Sequence, residues 1–418
     1  MKKIGRKLIH LLLLFLALNL SLAGLTRRAK ASDDAFYNMK ARAAYAIDAQ
    51  TGQVLYQKNA NKTYPIASLT KILTLAVIEQ DIKDHKLSWD QKIKITPAVA
   101  KVANDWHFSN VQLNAGEQYS VRQLVESMML VSADGSTEAL ALADAGSTVA
   151  FNRKMQAVAR KAGVTDAKIY NMIGLPNSSL GKHRLKNVDK DAENEMSAKD
   201  LALVSRYVIN KYPETLKITK KKFANFDVTA GQQYQMVNIN ALLPQNGYAP
   251  KDWEIDGLKT GNTDAAGKCI VTTGTYAGRR VILVALHTSG DWNNQSKMQK
   301  EFYEALAANY QPVELKKITD LPKGVRQARV VHAKKQRHVR LQLAEPQWIW
   351  LRKGENWSAA KPKFIPANNR QSVTGRLEAP LKKGQKVGQI ELQIQGMPAM
   401  KVLVTSSQKV AVRSFWSR

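Results

Sequence analysis

Between Ile66 and Ile78 the chain is apolar on nearly every face of a helix. Ile66, Leu69, Ile72, Leu73, Leu75, Ala76, Val77 and Ile78 point apolar side chains nearly all round a helix, the pattern of a helix enclosed on every side. Pro65 suits its first turn, where a missing N–H costs nothing. Within this apolar stretch stand Ser68 and Lys71, three apart and so on one face, within reach of each other. A lysine removed from water can lose its proton near neutral pH and activate a serine nucleophile. The helix N-terminus also favours negative charge developing at Ser68. The spacing alone is a weak signal. Ser-x-x-Lys recurs at Ser179–Lys182, Ser358–Lys361 and Ser406–Lys409, and an isolated copy reads more simply as a polar residue near a solvated lysine.

Two further motifs lie downstream. A helical period through Val121, Leu124, Val125, Met128 and Met129 ends in Val131-Ser132-Ala133-Asp134-Gly135-Ser136. This puts a serine and an acid on a turn between two helices, since Thr137 to Ala145 again reads as helix. Taken by itself, the turn is equally a capping turn whose Ser or Asp bonds free helix N–H groups. The third motif is Lys259-Thr260-Gly261, which occurs once, in Asp256 to Asn262. It lies on a strand just before Cys269 to Tyr276 and Val281 to Leu286, which a tight turn at Gly278-Arg279-Arg280 joins. There Lys259 offers a cation and Thr260 a hydroxyl, and Gly261 lets a ligand backbone lie close. The bland reading is an ordinary edge-strand lysine.

The remaining texture divides the chain. Lys2, Lys3, Arg6 and Lys7 precede an apolar run from Leu8 to Leu25, then Ala29-Lys30-Ala31. That is the pattern of an export signal cut before Ser32, and an uncleaved membrane anchor is the other reading of so long a run. Ala43 to Asp48, a turn at Gly52 and Val54 to Tyr56 read as an antiparallel hairpin. Ile93 to Gly116 reads as irregular, Asn171 to Pro176 as a loop and Gly181 to Asn194 as a polar excursion. Ser197 is placed to cap a helix over Ala198 to Asn210, and a last helix runs from Lys297 to Tyr310. After Pro312, alternating segments at Arg337–Leu343, Gln389–Gln395 and Met400–Thr405 read as a small all-β domain. The expected organisation is a signal peptide over 1–31, an α+β domain over 32–311 with an antiparallel sheet flanked by helices, a β-sandwich-like domain over 312–405 and a basic tail over 406–418.

The formal net charge is +29. In an intracellular chain this would point to nucleic acid. Behind an export signal it points instead to anionic wall polymers or a membrane surface, so no nucleic-acid partner is expected. From Gln311 onward there are 22 basic and 6 acidic residues, a net +16. Cys269 is the only cysteine, which excludes an intramolecular disulfide. No zinc-type spacing and no phosphate-cradling glycine loop occur, so neither a metal nor a cofactor is expected.

Taken together, Ser68–Lys71, Ser132–Asp134 and Lys259–Thr260–Gly261 are far more specific than any one of them. Their order resembles the motif trio of penicillin-binding proteins and class A β-lactamases. The hairpin and Tyr64-Pro65, the Asn171–Pro176 loop, Asp256 to Val271 and Ala379 to Gln385 extend the likeness. They resemble low-molecular-weight penicillin-binding proteins of the D-alanyl-D-alanine carboxypeptidase type, and a β-lactamase/transpeptidase-like fold followed by an all-β domain is what that implies. The resemblance further implies that Ser68 attacks the carbonyl between the terminal D-alanines of a peptidoglycan stem peptide, with Lys71 as base and Ser132 relaying a proton to the leaving amine. Lys259 would supply positive potential and Thr260 would bind the terminal carboxylate. The backbone N–H groups of Ser68 and Asn262 would form the oxyanion hole, and β-lactams would trap Ser68.

Two departures stand out. Asp134 replaces the usual asparagine, removing an amide donor, and Ser289 to Asn294 lacks the arginine that many relatives carry there. A β-lactamase is the first competing reading, but Lys168-Ile169-Tyr170-Asn171 has no acid where class A enzymes need one. A non-catalytic wall-binding homologue, with Asp134 as the mark of a decayed site, is the second.

Overall fold

The computed structural model describes residues 35–367, 372–373 and 375–413. The expected export signal lies outside the described residues. Among them, no helix is long and apolar enough to cross a membrane.

The centre is a five-stranded antiparallel sheet of β1 (Ala41–Asp48), β2 (Val54–Lys58), β3 (Glu254–Thr263), β4 (Gly267–Tyr276) and β5 (Arg279–Thr288), in the order β2-β1-β5-β4-β3. Both of its faces are covered, which explains why Val281 to Leu286 is apolar without alternation. Ile282, Val284 and Leu286 join a core with Tyr45, Ile47, Leu69 and Ile72. Val281, Leu283 and Ala285 join a second core with Phe302, Tyr303 and Leu306. The first core belongs to a helical layer of α1 (Lys71–Lys83), α2 (Val121–Leu130), α3 (Asp134–Ala145), α4 (Thr148–Lys161) and α5 (Ala198–Lys211). On the opposite face lies α6 (Trp292–Asn309). As expected from its sequence, α1 is buried without interruption from Lys71 to Glu79.

Caps set the helix starts. Ser120 and Gln123 close a capping box on α2, and Ser197 and Asp200 close one on α5, each satisfying two otherwise free N–H groups. Three expectations need correction. Ile93 to Gly116 is not irregular throughout: a strand pair joins Lys92–Lys94 to Gln118–Ser120, and a helix runs over Pro97–Ala103 with Thr96 as its cap. The last helix begins at Trp292, not Lys297, because the Asp291 side chain caps it by accepting from Asn294 N–H. The third is Pro65, which lies on a short strand, Thr63–Pro65, paired with Glu195–Ser197, and not in the first turn of the helix; α4 was not anticipated.

Beyond α6 the described elements are strands apart from two 3-10 turns, Ile318–Asp320 and Lys323–Val325. Tyr310–Leu315 pairs with Gln347–Arg352, and a seven-stranded sheet runs in the order Lys363–Pro366, Lys386–Leu392, Met400–Ser406, His338–Leu343, Gln327–Val331, Arg376–Glu378, Ser372–Val373. Past Ser406 the chain still pairs, with Val410 buried and bridged to Leu381.

A buried ion pair fixes the turn between β1 and β2. Arg279 grips fully buried Asp48 with two hydrogen bonds of 3.0 and 2.7 Å, and the Trp350 indole N–H donates to the same carboxylate at 3.0 Å. Gln53 exchanges hydrogen bonds with the Trp350 backbone at 3.2 and 2.8 Å, tying the hairpin to the β region. Removing Asp48 would strand the guanidinium without a partner. Asp48→Ala is therefore expected to lose about 3–5 kcal/mol of stability, measured by urea denaturation. A loss under about 1 kcal/mol would mean the pair is not structural.

Candidate functional site

The nucleophile candidate sits on a strained turn. Ala67 has a left-handed φ of +48°, Ala67–Thr70 winds as a 3-10 turn, and α1 starts only at Lys71. Ser68 and Lys71 therefore do not share an α-turn, as the spacing suggested. The tighter winding eclipses positions i and i+3, and Lys71 Nζ stands 2.8 Å from Ser68 Oγ. Among the Ser-x-x-Lys pairs, this lysine alone is enclosed: it has no solvent exposure, whereas Lys182, Lys361 and Lys409 are all exposed.

Two more groups hold the Lys71 amine. It bonds Asp134 Oδ1 at 2.6 Å and donates to the Ile173 carbonyl at 3.1 Å. Asp134 begins α3, and the left-handed Ser132, with φ of +63°, redirects the chain just before it. The Asp134 N–H donates to Ser109 O, and the Gly135 N–H to Asn110 Oδ1, both at 2.8 Å. Residues from the stretch expected to be irregular thus anchor the second motif.

The Ile173 carbonyl was not foreseen. It is aimed by Asn171, whose side-chain oxygen accepts from Ile173 N–H at 3.1 Å and Gly174 N–H at 2.7 Å. Asn194 in turn bonds Tyr170, Asn171 and the Thr70 hydroxyl. Gly174 has φ of +86°, and a Cβ there would stand 2.0 Å from Ala67 O, so only glycine lets the loop press against the Ser68 turn. The sequence signal was the buried-asparagine loop Asn171 to Pro176, but a backbone carbonyl leaves no signature of its own.

The third motif lies on the edge strand β3, as expected. Lys259 is buried and its Nζ donates to Thr260 O at 2.8 Å. The fold gives Gly261 a reason of its own: a Cβ there would stand 3.1 Å from Ser68 N, Leu69 N and Ile66 O. It is the protein's own nucleophile turn that comes close. Thr260 is buried and Asn262 exposed, on either side of this contact.

Burial governs the charges. It pushes the Lys71 amine down from its usual range, against the Asp134 charge, and pushes the Asp134 carboxyl up, against Lys71. Lys259 is driven well down by burial and by Lys71, with Asp134 opposing. The two shifts run toward each other across a 2.6 Å contact, and a proton moved within the pair leaves their joint charge unchanged. The arrangement can deprotonate Ser68 and hold the proton nearby.

Residues 28–290 match the D-alanyl-D-alanine carboxypeptidase family, and residues 315–412 match the C-terminal domain of penicillin-binding protein 5. The chain is 25% identical to the D-alanyl-D-alanine carboxypeptidase DacF of Bacillus subtilis (strain 168), over 85% of this chain and 82% of that protein. Its structure is similar to a peptidoglycan synthesis regulatory factor (PBP3) from Streptococcus pneumoniae, with TM-score 0.66, 26% identity, and coverage of 89% of this chain and 100% of that one. It is also similar to penicillin-binding protein D2 from Listeria monocytogenes in its cefotaxime-bound form, with TM-score 0.51, 27% identity, and coverage of 64% and 96%.

An ionised Asp134 favours the protonated amine of Lys71. In Asp134→Asn that charge is gone, so Lys71 stays a free base to lower pH. The acid limb of acylation by a labelled penicillin is expected to move to lower pH, with a faster rate at neutral pH, and Asp134→Ala is expected to be slower than both. A rate for Asp134→Asn roughly tenfold below wild type, about 1.4 kcal/mol of barrier, would make the carboxylate a required part of the site.

Proposed function

This chain belongs to the D-alanyl-D-alanine carboxypeptidase family, and on that premise we propose how its residues carry the reaction. It is a serine-type carboxypeptidase and a low-molecular-weight penicillin-binding protein, which removes the terminal D-alanine from peptidoglycan stem peptides and binds β-lactams. Ser68 Oγ attacks the carbonyl carbon between the two D-alanines while its proton passes to Lys71 Nζ. The backbone N–H groups of Ser68 and Asn262 receive the oxyanion. The C–N bond then breaks, and Ser132 delivers a proton to the departing amine. Water hydrolyses the remaining ester and frees Ser68. Thr260 holds the substrate's terminal carboxylate, and Lys259 contributes positive potential when protonated.

One observation carries this assignment: the fully buried Lys71 amine lies 2.8 Å from Ser68 Oγ. A decayed, merely binding homologue would have no need to keep a lysine there. The peptidase unit is taken as 32–311, the β domain as 312–405 and the basic tail as 406–418, following an exported signal peptide over 1–31. The enzyme would then work on the outer face of the membrane or in the wall. The +16 of the C-terminal segment favours attraction to anionic wall polymers or lipid headgroups, screened beyond about 8 Å at physiological ionic strength.

Incubation with a purified wall pentapeptide is expected to release D-alanine, and Ser68→Ala to release none. Mass spectrometry of the labelled-penicillin adduct is expected to find the label on Ser68. Label on Ser179, Ser358 or Ser406, or D-alanine release by Ser68→Ala, would overturn the assignment.

A further inference from the structure

A concavity of about 340 Å³ opens beside the edge strand. Thr260 forms part of its wall, and the next residue, Gly261, touches the Ser68 backbone. Thr260 and its strand partner Ile270 face the α6 side of the sheet, whereas Gly261 faces the Ser68 turn, so the cavity lies one residue along the edge strand from the reaction site. Of its other lining residues, Ile239, Ala241, Ile270 and Trp292 are apolar and Asn293, Gln295 and Ser296 are polar. Two polar neighbours already have partners, since Gln295 Nε2 donates to Thr288 Oγ1 at 3.1 Å and Ser296 Oγ donates to Trp292 O at 2.9 Å.

The walls are held in place. Ile239 N–H donates to Leu130 O at 3.1 Å, at the end of α2 just before the Ser132 turn. Asn240 Nδ2 donates to Gly257 O on β3 at 3.1 Å. Trp292, the first residue of α6, has the Lys268 amine 5.9 Å from its ring centroid. Yet Ile239 and Trp292 remain 48% and 45% exposed. Large apolar groups set around a concavity next to a reaction centre are the ordinary makings of a ligand pocket.

We propose that this cavity receives the side chain of the substrate's C-terminal residue, and that it admits apolar D-residues larger than alanine. The inference rests on the carboxypeptidase reading, in which Thr260 holds the terminal carboxylate. The departing residue is then the part of the substrate nearest the cavity. A methyl group leaves most of 340 Å³ empty, whereas a leucine or phenylalanine side chain would cover Ile239 and Trp292. The Ser289–Asn294 segment, which lacks an arginine, supplies this aromatic wall instead.

The test is kcat/KM for synthetic acyl-D-Ala-D-Xaa peptides, with Xaa as alanine, leucine or phenylalanine, read from the amino acid released. D-leucine or D-phenylalanine is expected to leave with kcat/KM at least equal to that of D-alanine. Trp292→Ala and Ala241→Phe are each expected to lower the ratio of large to small residue about tenfold. Penicillin labelling of Ser68 counts intact sites, and half-exposed Trp292 gives a variant that does not depend on repacking a core. A lower kcat/KM for both larger residues than for D-alanine, or an unchanged ratio in Trp292→Ala, overturns the proposal. Failure to release D-alanine from the parent peptide overturns the carboxypeptidase reading itself, and this inference with it.

Discussion

A lysine amine with no exposure to water has to be paid for by its partners, and the rest of this structure is arranged to provide them. Lys71 has three: the Ser68 hydroxyl, the Asp134 carboxylate and the Ile173 carbonyl. An unpaired buried cation would cost several kcal/mol. Keeping the amine dry requires α1 to be enclosed on all sides, which in turn requires a sheet on one side and helices on the others. Keeping it paired requires the α2–α3 turn and the Asn171–Pro176 loop to converge from distant parts of the chain. Strain follows from the same demand, since Ala67 and Ser132 both take left-handed φ values, conformations that persist only where their surroundings enforce them.

The charges of the site also follow from burial. Two lysines and one aspartate lie together out of water, so protonating both lysines leaves a positive charge without a counterion. That is why Lys259 is driven well down, by burial first and Lys71 second. An anionic substrate changes this balance. In the proposed binding mode, a terminal carboxylate held by Thr260 would offer the missing negative charge, favour protonated Lys259, and thereby favour a neutral Lys71 beside it. Under that proposal, binding and activation of the base would be coupled through that one carboxylate.

Much of this was legible in the sequence because it is written in side chains with local periods. The enclosed α1, the strands from β3 to β5, the Ser197 cap and the all-β region each carry a pattern, and the three motifs carry the chemistry. What escaped is of two kinds. The helix α4 has a period in Phe151, Met155, Val158 and Ala159, all buried, but its exposed Val149 and its many polar residues dilute it. The Pro97–Ala103 helix is only two turns long, and its Thr96–Pro97 start was the available signal. The second kind left no pattern at all. The Ile173 carbonyl and the close approach of Ser68 to Gly261 are main-chain contacts between segments some hundred residues apart or more, and only the folded chain brings them together.

The central claim is that Lys71 is the base that activates Ser68. Its most direct measurement is the rate of acylation by a labelled penicillin in Lys71→Gln, across pH, on protein whose near-ultraviolet circular dichroism matches wild type. A fall of roughly 10²–10⁴ at every pH is the expected result. Acylation within tenfold of wild type would contradict it and move the role of base to Lys259.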